Sequence, residues 1–232
     1  MQTSFTILFF CLFIFLFCLY TLSRDDFILI RKNVSQERVF NIMFIALLVS
    51  LFFARLVFVF FNYDSKFLNP LVFLLFPYFP GLSLVGALLG GAFFIAYYAS
   101  SKKLPIGRLL DLFTITFLCC LPFGLFFIWL SSLASKKPVT SFILIAVVIY
   151  VMLGGLSIRI FQKARLKDIS ITFLFFSIFS IVSIFLNILG RIGKGNLFNG
   201  EDVLLLVVFL ISLALFIRQE KFPDSFPKLR NN

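Results

Sequence analysis

The chain has 232 residues, of which 61% are hydrophobic and 13% charged, and it carries a formal charge of +11 with no histidine. Soluble domains are about 45–50% apolar, and a mean hydropathy of +1.09 would leave large apolar patches on a soluble fold, so composition excludes that class. The missing histidine removes imidazole bases, Ser-His and Cys-His nucleophile pairs and histidine metal ligands together.

Residues 3–22 are almost wholly apolar and long enough to cross a bilayer core of about 30 Å. No Lys or Arg precedes them and no small-residue cleavage site follows, which predicts a retained first helix rather than a signal peptide. Residues 23–38 form a charged loop. Residues 39–61 are the second span, with Arg55 inside it. The next loop passes through Asn69-Pro70. Its apolar piece, residues 68–79, is too short to cross and predicts an interfacial or re-entrant segment. Pro80-Gly81-Leu82-Ser83 then opens the third span, 81–100. Gly86 and Gly90 lie four apart, on one helix face, with Ala87 and Gly91 beside them. Such a face lets another backbone, or a lipid, come close. The fourth span is 109–133, with a kink expected at Pro122. The fifth is 141–161 and the sixth 169–189. A Gly- and Asn-rich loop, 190–202, leads to a short seventh span, 203–217, and a polar tail. The predicted fold is an all-α integral membrane protein: seven transmembrane helices plus a short re-entrant or interfacial segment, in one polytopic domain over residues 1–232.

The charges are dealt out loop by loop, which argues against a nucleic-acid face. Alternate loops carry 15 Lys and Arg on one side and 5 on the other, with Arg55 the remaining one of 21. By the positive-inside rule the N-terminus is outside and the C-terminus cytoplasmic. Cys11, Cys18, Cys119 and Cys120 sit inside apolar runs without a C-x-x-C spacing and read as packing residues. Arg55 lies beyond mid-span, its Cα roughly 9 Å from the end of the helix by rise per residue. It either snorkels or pairs within the bundle, or it offers a lipid phosphate a planar, permanently charged fork. It is expected to face the bundle interior close to the glycine-rich helix, because a lipid-facing Arg is costly at that depth. Asp111 is expected to pair with Arg108 at i, i+3. Glu201 and Asp202 precede the seventh span, where carboxylates favour a helix N-terminus.

Four stretches then stand in register: Phe53-Ala54-Arg55-Leu56-Val57-Phe58, Asn69-Pro70, Pro80-Gly81-Leu82-Ser83-Leu84-Val85-Gly86-Ala87-Leu88-Leu89-Gly90, and Leu104-Pro105 with Leu109-Leu110-Asp111. In order and spacing they resemble the bacterial prolipoprotein diacylglyceryl transferase family. That family shows Gly-Ala-Arg-x-x-Tyr, Asn-Pro, Gly-Gly-Met-Ser-Phe-His-Gly-Gly-Leu-Leu-Gly, and Leu-Pro with Leu-x-Asp. The resemblance implies seven spans with the N-terminus outside, in the bacterial inner membrane. It implies transfer of a diacylglyceryl group from phosphatidylglycerol to the lipobox Cys thiol of an exported lipoprotein precursor. Several motif groups are replaced. Val85 stands at the motif His. Leu125 and Ile128 stand at the Arg and Asn of a Gly-Arg-x-Gly-Asn-Phe signature, and Ile184 stands at a later Arg. Gly190-Arg191-Ile192-Gly193 has the same local form but comes one helix pair too late, and is assigned to coincidence or to the outer loop.

The reading that follows is a member of this fold that binds phosphatidylglycerol or an exported lipoprotein precursor, with reduced or no catalysis. The alternatives are an active transferase with divergent site residues, and a small transporter or channel subunit. Candidate phospholipid-binding residues are Arg55, Asn69, Ser83, Gly86, Gly90, Arg191 and Glu201. No catalytic base is identified, and neither a cofactor nor a metal is called for.

Overall fold

A computed structural model describes residues 2–24, 26–62, 81–133, 140–163, 166–191 and 199–221. Among them the secondary structure is helical throughout: α1 (Gln2–Arg24), α2 (Phe27–Arg31), α3 (Gln36–Phe61), α4 (Leu84–Ser101), α5 (Ile106–Leu133), α6 (Thr140–Gln162), α7 (Ser170–Arg191) and α8 (Gly200–Lys221). Six of these, α3 to α8, are long and apolar enough to cross a membrane, and Phe9–Arg24 of α1 is a shorter apolar stretch. The protein is therefore a multi-pass membrane protein. The re-entrant segment expected over 68–79, with Asn69, lies outside the described residues.

Helix ends are set by local chemistry. Asp26 caps α2 by accepting from Ile28 N at 2.9 Å, so a short helix forms where the sequence predicts only a charged loop. Ser35 caps α3, accepting from Arg38 N at 3.3 Å, and Ser83 caps α4, accepting from Gly86 N at 3.3 Å. Asn199 N donates to Asp202 Oδ2 at 2.9 Å, one arm of a capping box. That cap starts α8 at Gly200 and makes the last helix longer than the predicted 203–217. α5 runs on through Pro122.

α5 is the pivot of the bundle, packing against α1, α4, α6 and α7, while α3 pairs chiefly with α4 and α7 with α8. One core lies between α1, α3, α4 and α5 around Leu19, Met43, Ile95 and Leu112. A second lies between α4, α5, α6, α7 and α8 around Val85, Leu118, Tyr150, Phe175 and Leu205. Large side chains such as Phe13, Phe60, Phe93 and Met152 are exposed, which suits a surface solvated by lipid.

Polar residues gather at both ends. At one end Arg108 is not paired with Asp111, as expected from their spacing. Arg108 Nε instead donates to Asp26 Oδ2 at 2.7 Å, and its guanidinium lies 3.4 Å from the centre of the Phe161 ring. Asp111 accepts from Ile169 N at 2.8 Å, from Thr172 N at 2.9 Å and from Thr172 Oγ1 at 2.7 Å. The physical reason is tertiary. The first turn of α7 has backbone N–H groups without intrahelical partners, and the Asp111 carboxylate on a neighbouring helix accepts from them, while the Arg108 guanidinium, a donor only, is met by Asp26. Ser170 Oγ also donates to Glu220 Oε1 at 2.6 Å.

Breaking one partner of a buried ion pair leaves the other uncompensated, at about 3–5 kcal/mol. Arg108→Ala and Asp26→Asn should each destabilise the protein by about that much, and the double variant by less than their sum. Thermal unfolding in detergent micelles measures it.

Candidate functional site

The site begins with a helix contact. A Cβ placed on Gly86 would lie 2.7 Å from Phe53 O, and one on Gly90 would lie 2.4 Å from Phe53 Cβ. α3 and α4 are therefore close to backbone contact, which only glycine permits. The bare face is filled by α3, so the part Gly86 and Gly90 play is to let the two helices close.

Closure brings the start of α4 onto α3. Ser83 N donates to Ala54 O at 3.0 Å, and Arg55 Nη1 donates to Gly81 O at 2.8 Å. Gly81 has φ +145°, a conformation reserved for glycine, and packs on the Phe58 ring. Arg55 is 3% exposed. It faces inward beside the glycine-rich helix and away from the acyl chains.

Ser83 then links α4 to α8. Its Oγ donates to Glu201 Oε1 at 2.5 Å. The next residue, Asp202, collects Asn187 Nδ2 at 2.8 Å, Arg191 Nη1 and the Asn199 N–H. Gly200 lets the first turn of α8 sit against Phe61, since a Cβ there would lie 2.6 Å from the ring. Arg55, Ser83, Arg191 and Glu201 thus meet at one end of the bundle, the end opposite Arg108.

Beneath them lies a cavity of about 180 Å³, lined by Val85, Leu125, Tyr150, Ser183, Asn187 and Glu201 among others. Its walls are mostly aliphatic, with one carboxylate. Tyr150 and Ser183, from different helices, both border it. A second cavity, about 240 Å³, lies between α3, α4 and α5 and is bordered by Ser83 and Phe113. Ser50 lines it with a buried hydroxyl that has no partner among the described residues. Among the described residues no group of three His, Cys, Asp or Glu side chains is placed to hold a metal ion.

The fold and site define a polytopic membrane protein with a polar cluster over an apolar cavity at one end of its helices. The model of the prolipoprotein diacylglyceryl transferase family matches residues 3–129, more than half of the chain, and the protein belongs to that family. No curated protein and no solved structure matches it. The matched segment covers α1 to most of α5, and so includes Arg55, Ser83, Val85 and Leu125. Asn187, Arg191 and Glu201 fall beyond it.

Of the positions aligned to polar motif groups, Val85 and Leu125 line the cavity. Ile184 packs in the core around it. Ile128 is 53% exposed on the outside of α5, so that part of the alignment does not reach the site. Gly190-Arg191-Ile192-Gly193, set aside for its late position, supplies Arg191 one hydrogen-bonded partner away from the cavity-lining Asn187. Residues 192–198 lie outside the described residues. Sequence reasoning missed Asn187, although Asn187 and Arg191 at i, i+4 in an otherwise apolar run were the available signal. Tyr150 and Ser183, on different helices, carried none.

Gly86→Ala must push α3 and α4 apart, because its nearest obstacle is backbone. Overpacking of this kind costs about 1–3 kcal/mol, and the melting temperature should fall accordingly, more than for Gly155→Ala, where nothing lies within 4 Å.

Proposed function

We propose that this protein binds phosphatidylglycerol at the Arg55 end of its bundle and acts on it as a slow diacylglyceryl transferase, with an exported lipoprotein precursor as the thiol partner. The observation that carries this reading is the shared cavity. Val85 and Leu125, at the positions of a family His and Arg, line it together with Glu201 and Asn187; Ser83 is hydrogen-bonded to Glu201, and Arg191 reaches Asn187 through Asp202. Transfer needs a thiolate, and it needs positive charge at the leaving phosphate. Arg55 and Arg191 bring two guanidinium groups to this end of the molecule. The aliphatic replacements take away preorganised contacts, each worth on the order of 10²–10³ in rate, and such losses within one unit do not simply add. A rate well below that of a full-motif family member follows. One observation favours a fuller activity: Glu201, distant from the motifs in sequence, comes to the cavity in the fold.

The membrane setting belongs to the same proposal. With 15 basic residues against 5 in alternate loops, the Arg108 end faces the cytoplasm and the Arg55 end faces outward. The site then opens on the outer leaflet of a bacterial inner membrane, where an exported precursor arrives.

A lipobox peptide incubated with the purified protein and phosphatidylglycerol should gain a diacylglyceryl mass slowly. Arg55→Lys replaces a bidentate fork with a point charge. Loss of a hydrogen bond to a charged group is worth about 1.5–3 kcal/mol, so lipid affinity should fall roughly tenfold to a hundredfold in a native mass-spectrometry titration. A periplasm-dependent reporter fused after Asn232 should be inactive, and activity there would overturn the orientation.

A further inference from the structure

We infer that Glu201 is the proton acceptor of this chain, facing the same cavity as Val85, which stands at the motif histidine; the inference rests on the transfer activity proposed above. The chain has no histidine, so the base must be of another kind. Among the described residues that line the 180 Å³ cavity, Glu201 is the single carboxylate, and it shares that lining with Val85. Two residues on different helices thus face one space. A proton acceptor on α8 therefore faces the same space as the side chain at position 85 on α4.

The neighbouring carboxylate is already committed. Asp202 Oδ1 accepts from Asn187, and its Oδ2 accepts from Arg191 and from Asn199 N. Glu201 is different. Its Oε1 accepts from Ser83 Oγ at 2.5 Å, and among the described residues no hydrogen bond reaches Oε2. Ser83 is itself fixed by Ala54 O and by its cap to Gly86 N. The carboxylate is therefore held by one oxygen while the other remains able to accept a proton. Tyr150 is the other ionisable group of the lining, and a phenol with an ordinary pKa of about 10 is protonated at neutral pH.

The step balances without a further reactant. The thiol proton moves to Glu201 Oε2 and its electron pair stays on sulfur. Sulfur attacks the glyceryl carbon that carries the phosphate ester. The C–S bond forms as the C–O bond breaks, and glycerol phosphate leaves with that electron pair. The carboxylic acid then returns its proton to water.

The test uses the full chain in phosphatidylglycerol-containing nanodiscs, with a lipobox peptide and mass spectrometry of the thioether. E201Q keeps an oxygen for Ser83 Oγ and removes the acceptor. General-base catalysis is worth about 10²–10⁴-fold. At saturating phosphatidylglycerol E201Q should therefore transfer at least about 10²-fold more slowly at pH 7. Its rate should then climb about tenfold per pH unit toward the thiol pKa of about 8.5, as the peptide ionises unaided. Adding V85H to E201Q should restore part of the pH 7 rate, because an imidazole then faces the same cavity. The inference is overturned if E201Q transfers at the parental rate with the parental pH profile, or if its slower transfer at saturating lipid does not climb with pH, which would make Glu201 a lipid ligand or a structural residue. A parent protein that binds phosphatidylglycerol but forms no thioether overturns the inference and leaves the binding reading standing. A parent that binds no phosphatidylglycerol overturns the function itself.

Discussion

The structure depends on the approach of α3 to α4 at Gly86 and Gly90. Both glycines point at Phe53, one at its carbonyl oxygen and the other at its Cβ. No side chain fits between them. In lipid there is no hydrophobic drive to push helices together, so backbone-to-backbone packing of this kind carries much of the association. The same contact sets the register of the start of α4. Ser83 N meets Ala54 O, Gly81 O meets Arg55, and Ser83 Oγ is presented to α8. A seam made for packing thereby positions Arg55 and Ser83, the α3 and α4 members of the candidate site.

The bundle divides its polar residues by end. At the Arg108 end they are consumed by structure: Asp26 both caps α2 and holds Arg108, and Asp111 closes the first turn of α7. These groups are nearly fully buried, with Asp26 3% and Asp111 1% exposed, and each has partners for its charge. At the Arg55 end the accounting is looser. Asp202 is enclosed by three donors, yet Glu201 beside it is held through one oxygen and borders an open cavity. A half-buried carboxylate kept partly available is expected where a ligand or a proton must be received.

Family membership and the site do not cover the same part of the chain. The match ends at residue 129, within α5, while half of the polar rim comes from α7 and α8. The replaced motif positions on α4 and α5 and the polar residues of α7 and α8 meet across one cavity. Chain order hides that meeting, because Val85 and Glu201 are far apart in sequence and are brought to one cavity by the packing of α7 and α8 onto α4 and α5.

Much of the fold was legible in the residues themselves. Apolar runs of about 20 residues can only be spans, since every backbone group in lipid must be satisfied within a helix. The small-residue spacing of Gly86 and Gly90 marked a seam, and the cost of an Arg inside a span placed Arg55 inward. What the residues could not show was which polar groups meet. The i, i+3 spacing of Arg108 and Asp111 suggested a pair, but the buried charge of Arg108 went to Asp26 and the carboxylate of Asp111 to the open N–H groups of α7. Gly190-Arg191-Ile192-Gly193 looked misplaced because it follows the wrong span. The link from Ser83 to Glu201, 118 residues apart, has no local signature at all. Helix identity is a short-range property of hydrophobicity and length. The partners of buried polar groups are decided only when helices pack, because each group takes the nearest satisfying donor or acceptor that the tertiary arrangement brings to it.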